Sequence, residues 1–219
     1  MQNINIKKYF IEFLGTTLLL ATVIGSGIMG ETLSEGNVAI ALLANTIATG
    51  AMLYVLITMF GSISGAHFNP AVSVIFFIKK ELPLSVLIFY ILAQVLGGLL
   101  GMLIAHFMFD YELFQYSSKI RVGINQWGSE FIAAFGLIAT ILFTIKERPE
   151  SVAMAVGLYI TAAYWFTAST SFANPAVTIA RTFTDTFSGI HYSGTMYFII
   201  AQFLGAILGL IIYCLIYKK

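Results

Sequence analysis

Asn-Pro-Ala occurs twice in this chain, at Asn69-Pro70-Ala71 and at Asn174-Pro175-Ala176, once in each half. Asparagine caps a helix through its side-chain carbonyl, and proline is pre-organised for the first helical position, so each tripeptide reads as a helix start. The chemistry on offer is recognition rather than bond making. A helix N-terminus carries a partial positive charge and unpaired N–H groups, and the Asn amide adds further donors. Two such starts brought face to face would offer N–H groups to the oxygen of a neutral solute. They would also oppose a cation that has shed its hydration. Glu12 and Glu130 are carboxylates inside long apolar runs, where two readings fit. They could relay protons, or they could accept the backbone N–H groups of a loop buried away from water. His67 stands two residues before Asn69, as a wall donor, a pH gate or a residue that fixes its loop. His106 and His191 fall near the ends of apolar runs, where a solvated histidine is ordinary. No spacing of His, Cys and carboxylates makes a metal site or a catalytic dyad, so neither an enzyme nor a cofactor is expected.

The elements that must position these residues are membrane spans. Hydrophobic residues make up 59% of the chain and charged residues 10%, outside the balance of a soluble domain. A net charge of +1 with no basic stripe leaves no basis for nucleic-acid binding. The single cysteine, Cys214, rules out a disulfide within the chain. Runs long enough to cross the hydrocarbon core are Tyr9–Met29, Val38–Phe60, Leu84–Phe107, Gln126–Ile145, Ser151–Thr170 and Tyr192–Tyr217. The first exceeds a signal-peptide core and is expected to be retained. Two shorter apolar pieces, Asn69–Ile78 and Asn174–Phe183, each open on the tripeptide. At about 1.5 Å per residue each rises about 15 Å, so two end to end match one bilayer core of about 30 Å. The expected fold is an all-α membrane protein of six spans plus two re-entrant half-helices. Broken spans in matching places of two halves point to a substrate path at the midplane.

The halves repeat. Ile11-Glu12-Phe13 matches Ser129-Glu130-Phe131, and Ala93-Gln94-Val95-Leu96-Gly97 matches Ala201-Gln202-Phe203-Leu204-Gly205. Three spans per half is an odd number, so the second half enters the membrane inverted relative to the first. The glycine pairs Gly97/Gly101 and Gly205/Gly209 give close helix contact by the small-xxx-small rule. The chain is expected to form one channel domain, 1–219, with repeat one at 1–108, a loop at 109–125 and repeat two at 126–219. With both termini on one side, that side collects Lys7, Lys8, Lys79, Lys80, Lys146, Arg148, Lys218 and Lys219. The other keeps Lys119, Arg121 and Arg181, so the positive-inside rule puts both termini in the cytoplasm.

Ser64-Gly65-Ala66-His67-Phe68-Asn69-Pro70-Ala71-Val72 and Ser171-Phe172-Ala173-Asn174-Pro175-Ala176-Val177 resemble the two pore loops of the aquaporin, or major intrinsic protein, family. The repeated Glu and Ala-Gln-x-Leu-Gly positions extend the resemblance over nearly the whole chain. It implies an hourglass channel for water and small neutral solutes in the plasma (inner) membrane, built as a homotetramer in which each subunit conducts. Most aquaporins carry Arg directly after the second tripeptide, where this chain has Val177. By family spacing the other filter positions are Thr49, Ala162 and Ser171, which makes a wide, neutral filter. Polyols such as glycerol and undissociated arsenite suit it better than water alone. The loop from Asn174 to Asp185 is similar to that of a bacterial subgroup linked to arsenite passage. Arg181, four residues after Val177, either returns positive charge to the outer vestibule or pairs with Asp185 at the surface. The rivals are a water-selective pore and a proton-coupled transporter that uses Glu12 and Glu130.

Overall fold

The computed structural model describes residues 6–217; Lys218 and Lys219, which entered the charge count, and the first five residues of repeat one lie outside them. The described residues form eight α-helices: α1 (Ile6–Leu33), α2 (Val38–Ser64), α3 (Pro70–Ile78), α4 (Leu84–Met108), α5 (Ile124–Glu147), α6 (Val152–Phe166), α7 (Pro175–Ala180) and α8 (Tyr192–Ile216). Five of them, α1, α2, α4, α5 and α8, are long and apolar enough to cross a membrane. Leu96, Leu158 and Leu204 are among many large apolar side chains on the outer surface, as lipid contact requires.

Helix ends follow local rules, with two departures from expectation. Asn37 caps α2 by accepting the N–H groups of Ala39 and Ile40, and Gly65 ends it in the left-handed region with φ 89°. The fifth apolar run, expected to continue to Thr170, stops as helix at Phe166. Thr167 is already extended, and Thr170 and Ser171 take φ values of 62° and 47°, which no α-helix accommodates. The run from Asn174 is α-helical only to Ala180 and tightens into a 3-10 turn at Arg181–Phe183. Six α-helical and three 3-10 residues still rise about 15 Å, the length expected of a half-span.

Close backbone approach holds the long helices together, and it recurs in matching places. A Cβ on Gly97 of α4 would lie 2.3 Å from the Phe13 carbonyl oxygen of α1. A Cβ on Gly205 of α8 would lie 2.0 Å from the Phe131 carbonyl oxygen of α5. Between α2 and α6, Gly50 and Gly157 each press on the other's carbonyl, so a Cβ on either would sit 2.7 or 2.6 Å from it. With lipid as the competing apolar phase, such contact supplies the dispersion energy that the hydrophobic effect supplies in water. α3 and α7 fill the interior between the two packed sets, and their first turns, Pro70–Ser73 and Pro175–Thr178, are buried.

Candidate functional site

The two short helices meet N-terminus to N-terminus. Asn69 Oδ1 accepts the Ala71 N–H at 2.9 Å, and Asn174 Oδ1 accepts the N–H groups of Ala176 and Val177 at 3.0 and 3.3 Å. The amides cross over: Asn69 Nδ2 donates to the Ala173 carbonyl and Asn174 Nδ2 to the Phe68 carbonyl, both at 2.8 Å. Each NH2 carries two hydrogens, so each Asn keeps one donor for the cavity that both residues line. Pro70, Ala71, Pro175 and Ala176 are buried behind them and fix the first turns.

The loops leading into these helices are held by the buried carboxylates. Glu12 accepts the N–H groups of His67 and Phe68 at 3.0 and 2.7 Å, the Ser64 hydroxyl at 2.7 Å and Gln94 Nε2 at 2.8 Å. Glu130 accepts the N–H groups of Phe172 and Ala173, both at 2.8 Å, and Gln202 Nε2 at 2.6 Å. Gln94 also donates to Ser73 in α3 and Gln202 to Thr178 in α7, at 2.9 and 2.8 Å, so each glutamine ties carboxylate to half-helix. Sequence reasoning used these glutamines only as repeat markers; their occurrence at equivalent places in both halves was the available signal. Phe68 and Ala173, whose N–H groups Glu12 and Glu130 accept, adopt positive φ of 47° and 48°, and Ala66, Thr170 and Ser171 do so at 50°, 62° and 47°. The carbonyls of Gly65, Ala66, His67, Thr170, Ser171 and Phe172 accept no hydrogen bond from any described residue. Five of those residues, Gly65, Ala66, His67, Ser171 and Phe172, line the same cavity.

That cavity measures about 90 Å³ and threads between α1, α2, α5 and α6 and both loops. Its wall is mostly aliphatic, with polar side chains at a few levels. Val152, Val156, Ile160 and Tyr164 form the α6 side, about 18 Å from first to last at four-residue spacing. Thr49, Leu53 and Ile57 form the α2 side. His67 lines it near Phe76 with its ring oriented by Nδ1 against Ser73 Oγ at 3.0 Å, so wall position and loop fixing coexist. Among the described residues no group of three or more His, Cys, Asp or Glu could hold a metal.

Of the four sequence-assigned filter positions, Thr49, Ser171 and Val177 line the cavity and Ala162 does not. Ala162 lies on the exposed side of α6, and Tyr164, two residues on, occupies the lining face. Tyr164 stands ten residues before Asn174 where the count to Ala162 assumed twelve, so the stretch between lining residue and tripeptide is two residues shorter than that spacing. Tyr164 donates to Thr49 Oγ1 at 3.4 Å. Arg181 does not pair with Asp185. The helix has ended by Ala180 and Thr184 is extended, so residues four apart no longer share a face. The Asp185 carboxylate instead accepts the Ser118 N–H and hydroxyl, both at 2.8 Å, and these bonds hold its pKa below the ordinary value. Arg181 is buried, donates from Nε to the Ser188 carbonyl, and places Cζ 3.4 Å from the centre of the Phe172 ring. It stands behind the cavity wall, not in the lumen. Arg121, counted in the sequence only as a charge, lies over the same ring at 5.2 Å and donates to the carbonyls of Gly189 and Ser169 at 3.0 and 3.1 Å.

Apolar helices around a continuous cavity, with two opposed helix starts at its centre, define a membrane channel rather than an enzyme. The chain belongs to the major intrinsic protein family, whose profile matches residues 1–152 and 144–219. It is 54% identical over 204 residues to the aquaglyceroporin AqpS of Rhizobium meliloti (strain 1021), covering 93% of this chain and 87% of that one. Nodulin-26 of Glycine max is 28% identical over 217 residues, covering 95% and 77%. The fold is that of the aquaglyceroporin from Plasmodium falciparum, with TM-score 0.75 at 22% identity over 98% of this chain and 96% of that one.

Proposed function

We propose that this protein is a passive channel through which small neutral polyhydroxy solutes, glycerol and undissociated arsenite among them, cross the plasma membrane together with water. The observation that carries this reading is the crossed pair of Asn69 and Asn174 bonds within a continuous, mostly aliphatic cavity. Donors there suit a solute oxygen, while two helix starts oppose cations. The absence of an arginine after Ala176 leaves Val177 at a neutral, wide filter with Thr49 and Ser171. The name of the R. meliloti relative supports a polyol route.

In this reading the chain is one domain of two inverted repeats, 1–108 and 126–219, joined by the loop 109–125. α6 with its leading 3-10 turn at Pro149–Ser151 rises about 28 Å and acts as the sixth span, while α3 and α7 are the two half-spans. Both termini face the cytoplasm, and the subunits assemble as a tetramer of independent pores. Arg181 supplies positive field to the outer mouth through Phe172 without narrowing it, since a guanidinium stays protonated. Stopped-flow swelling of proteoliposomes compares water, glycerol, urea and arsenite at equal protein. Glycerol and arsenite should enter well above protein-free vesicles; water entry alone would overturn the reading.

A further inference from the structure

The loop after α4 folds back onto the helices instead of rising away from them. Asp110, at φ 58°, turns the chain, and the Tyr111 N–H then donates to the His106 carbonyl at 2.9 Å. The His106 ring is buried, not solvated as its place near the end of an apolar run suggested. Its Nδ1 bonds the Leu113 carbonyl at 2.9 Å and its Nε2 bonds Thr184 Oγ1 at 2.7 Å. Leu113 therefore lies level with the last turn of α4. The N–H groups of Gln115 and Ser117 donate to the carbonyls of Phe183 and Thr182 at 3.3 and 3.1 Å, just beyond α7. Thr182 in turn shares a 2.9 Å bond with Thr195 in the first turn of α8. Residues 113–117 are thus pinned over the end of α7, which packs against both α4 and α8. Side chains alternate along them. Ser117 is buried, while Phe114 and Tyr116 turn outward, 63% and 78% exposed. Both rings pack on Phe183, with centroids 6.5 and 5.9 Å from its own.

We infer that Phe114, Tyr116 and Phe183 form an aromatic anchor that inserts into the headgroup boundary of the leaflet opposite the termini, with the lipid surface as its partner. The patch continues the lipid-facing sides of two helices: Phe107 is exposed at the end of α4 and Tyr192 at the start of α8. Aromatic rings favour this boundary, where the ring meets acyl carbon and a tyrosine hydroxyl stays wet. No Lys or Arg occurs between Phe109 and Ser118, and Asp110 and Glu112 are exposed beside the rings. The surface therefore fits zwitterionic lipid and not anionic lipid. Because the same segment is bonded to Thr182, Phe183 and Thr184, bilayer contact also fixes the end of α7.

The test uses the full-length chain in phosphatidylcholine vesicles, with Cys214→Ser removing the native thiol. Tyr116→Cys and, separately, Phe114→Cys carry an environment-sensitive nitrobenzoxadiazole label. Glu35→Cys, in the exposed turn between α1 and α2, is the aqueous control. Emission is read with lipids brominated near the headgroup end of their acyl chains, and with iodide on both sides of the membrane. At both anchor positions the brominated lipids should remove more emission than iodide does, with the order reversed at Glu35→Cys. Stronger loss to iodide at either anchor position overturns the anchor. Protection from both quenchers means that a second copy of the chain covers the patch, and overturns it equally. Replacing phosphatidylcholine by phosphatidylglycerol should weaken the loss to brominated lipid; a stronger loss overturns the zwitterionic preference.

Discussion

At the scale of single residues, the departure that matters is Val177 in place of arginine. Its side chain lines the cavity one turn beyond Asn174, with Thr49, Tyr164 and Ser171 as the hydroxyl-bearing members of that wall. Val177→Arg should cut glycerol and arsenite permeability at least about tenfold relative to water. The guanidinium fills space that a solute larger than water needs, a mismatch of the kind that discriminates by one to two orders of magnitude. The ratio of solute to water flux is the quantity to read, since it cancels differences in protein per vesicle. A constant ratio would place the narrowest point elsewhere. Arg181 cannot stand in for this residue sterically, because its guanidinium is packed against Phe172 behind the wall.

At the scale of elements, the half-helices owe their position to Glu12 and Glu130. Each carboxylate accepts two loop N–H groups and one glutamine amide, and its partners donate. Glu130→Gln keeps the shape but turns one oxygen into an NH2 that faces another donor. A buried donor left without an acceptor costs about 1–3 kcal/mol. Glu130→Gln and Glu12→Gln should therefore lower the thermal midpoint of the detergent-solubilised protein by several degrees. The water and solute permeability of whatever folds should keep its wild-type ratio. Unchanged stability with altered selectivity would mean that the carboxylates act on the solute directly.

At the scale of the whole molecule, the same bonds separate a channel from a proton-coupled carrier. A carrier needs a carboxylate free to exchange protons with solvent, and both buried glutamates are fully buried and committed to loop N–H groups. Proteoliposomes given a pH gradient should bring glycerol to equal concentration on both sides and no further. Accumulation above the outside concentration would establish coupling. The family membership and the all-helical fold shared with an aquaglyceroporin agree with downhill passage.

What the sequence determined by itself were features set by local rules. The Asn-Pro starts, the paired Glu and Ala-Gln-x-Leu-Gly positions and the glycine contacts each follow from a few adjacent residues. In lipid these rules are strict, because every backbone N–H must be matched internally. Which side of α6 faces the cavity was not legible. Both its lipid side and its cavity side are apolar, so Leu158 and Ile160, or Ala162 and Tyr164, look alike in periodicity. Counting from the tripeptide gave Ala162, and only the packing of α6 shows Tyr164, two residues on and in step with Val152, Val156 and Ile160, at the wall. Arg181 is the second case. Its partner depends on whether the helix persists to Asp185, and that was decided by the Ser188 carbonyl and the Phe172 ring meeting the guanidinium in space. Helix starts are written in the residues that make them; where a helix stops, and which face it turns inward, are settled by what packs against it.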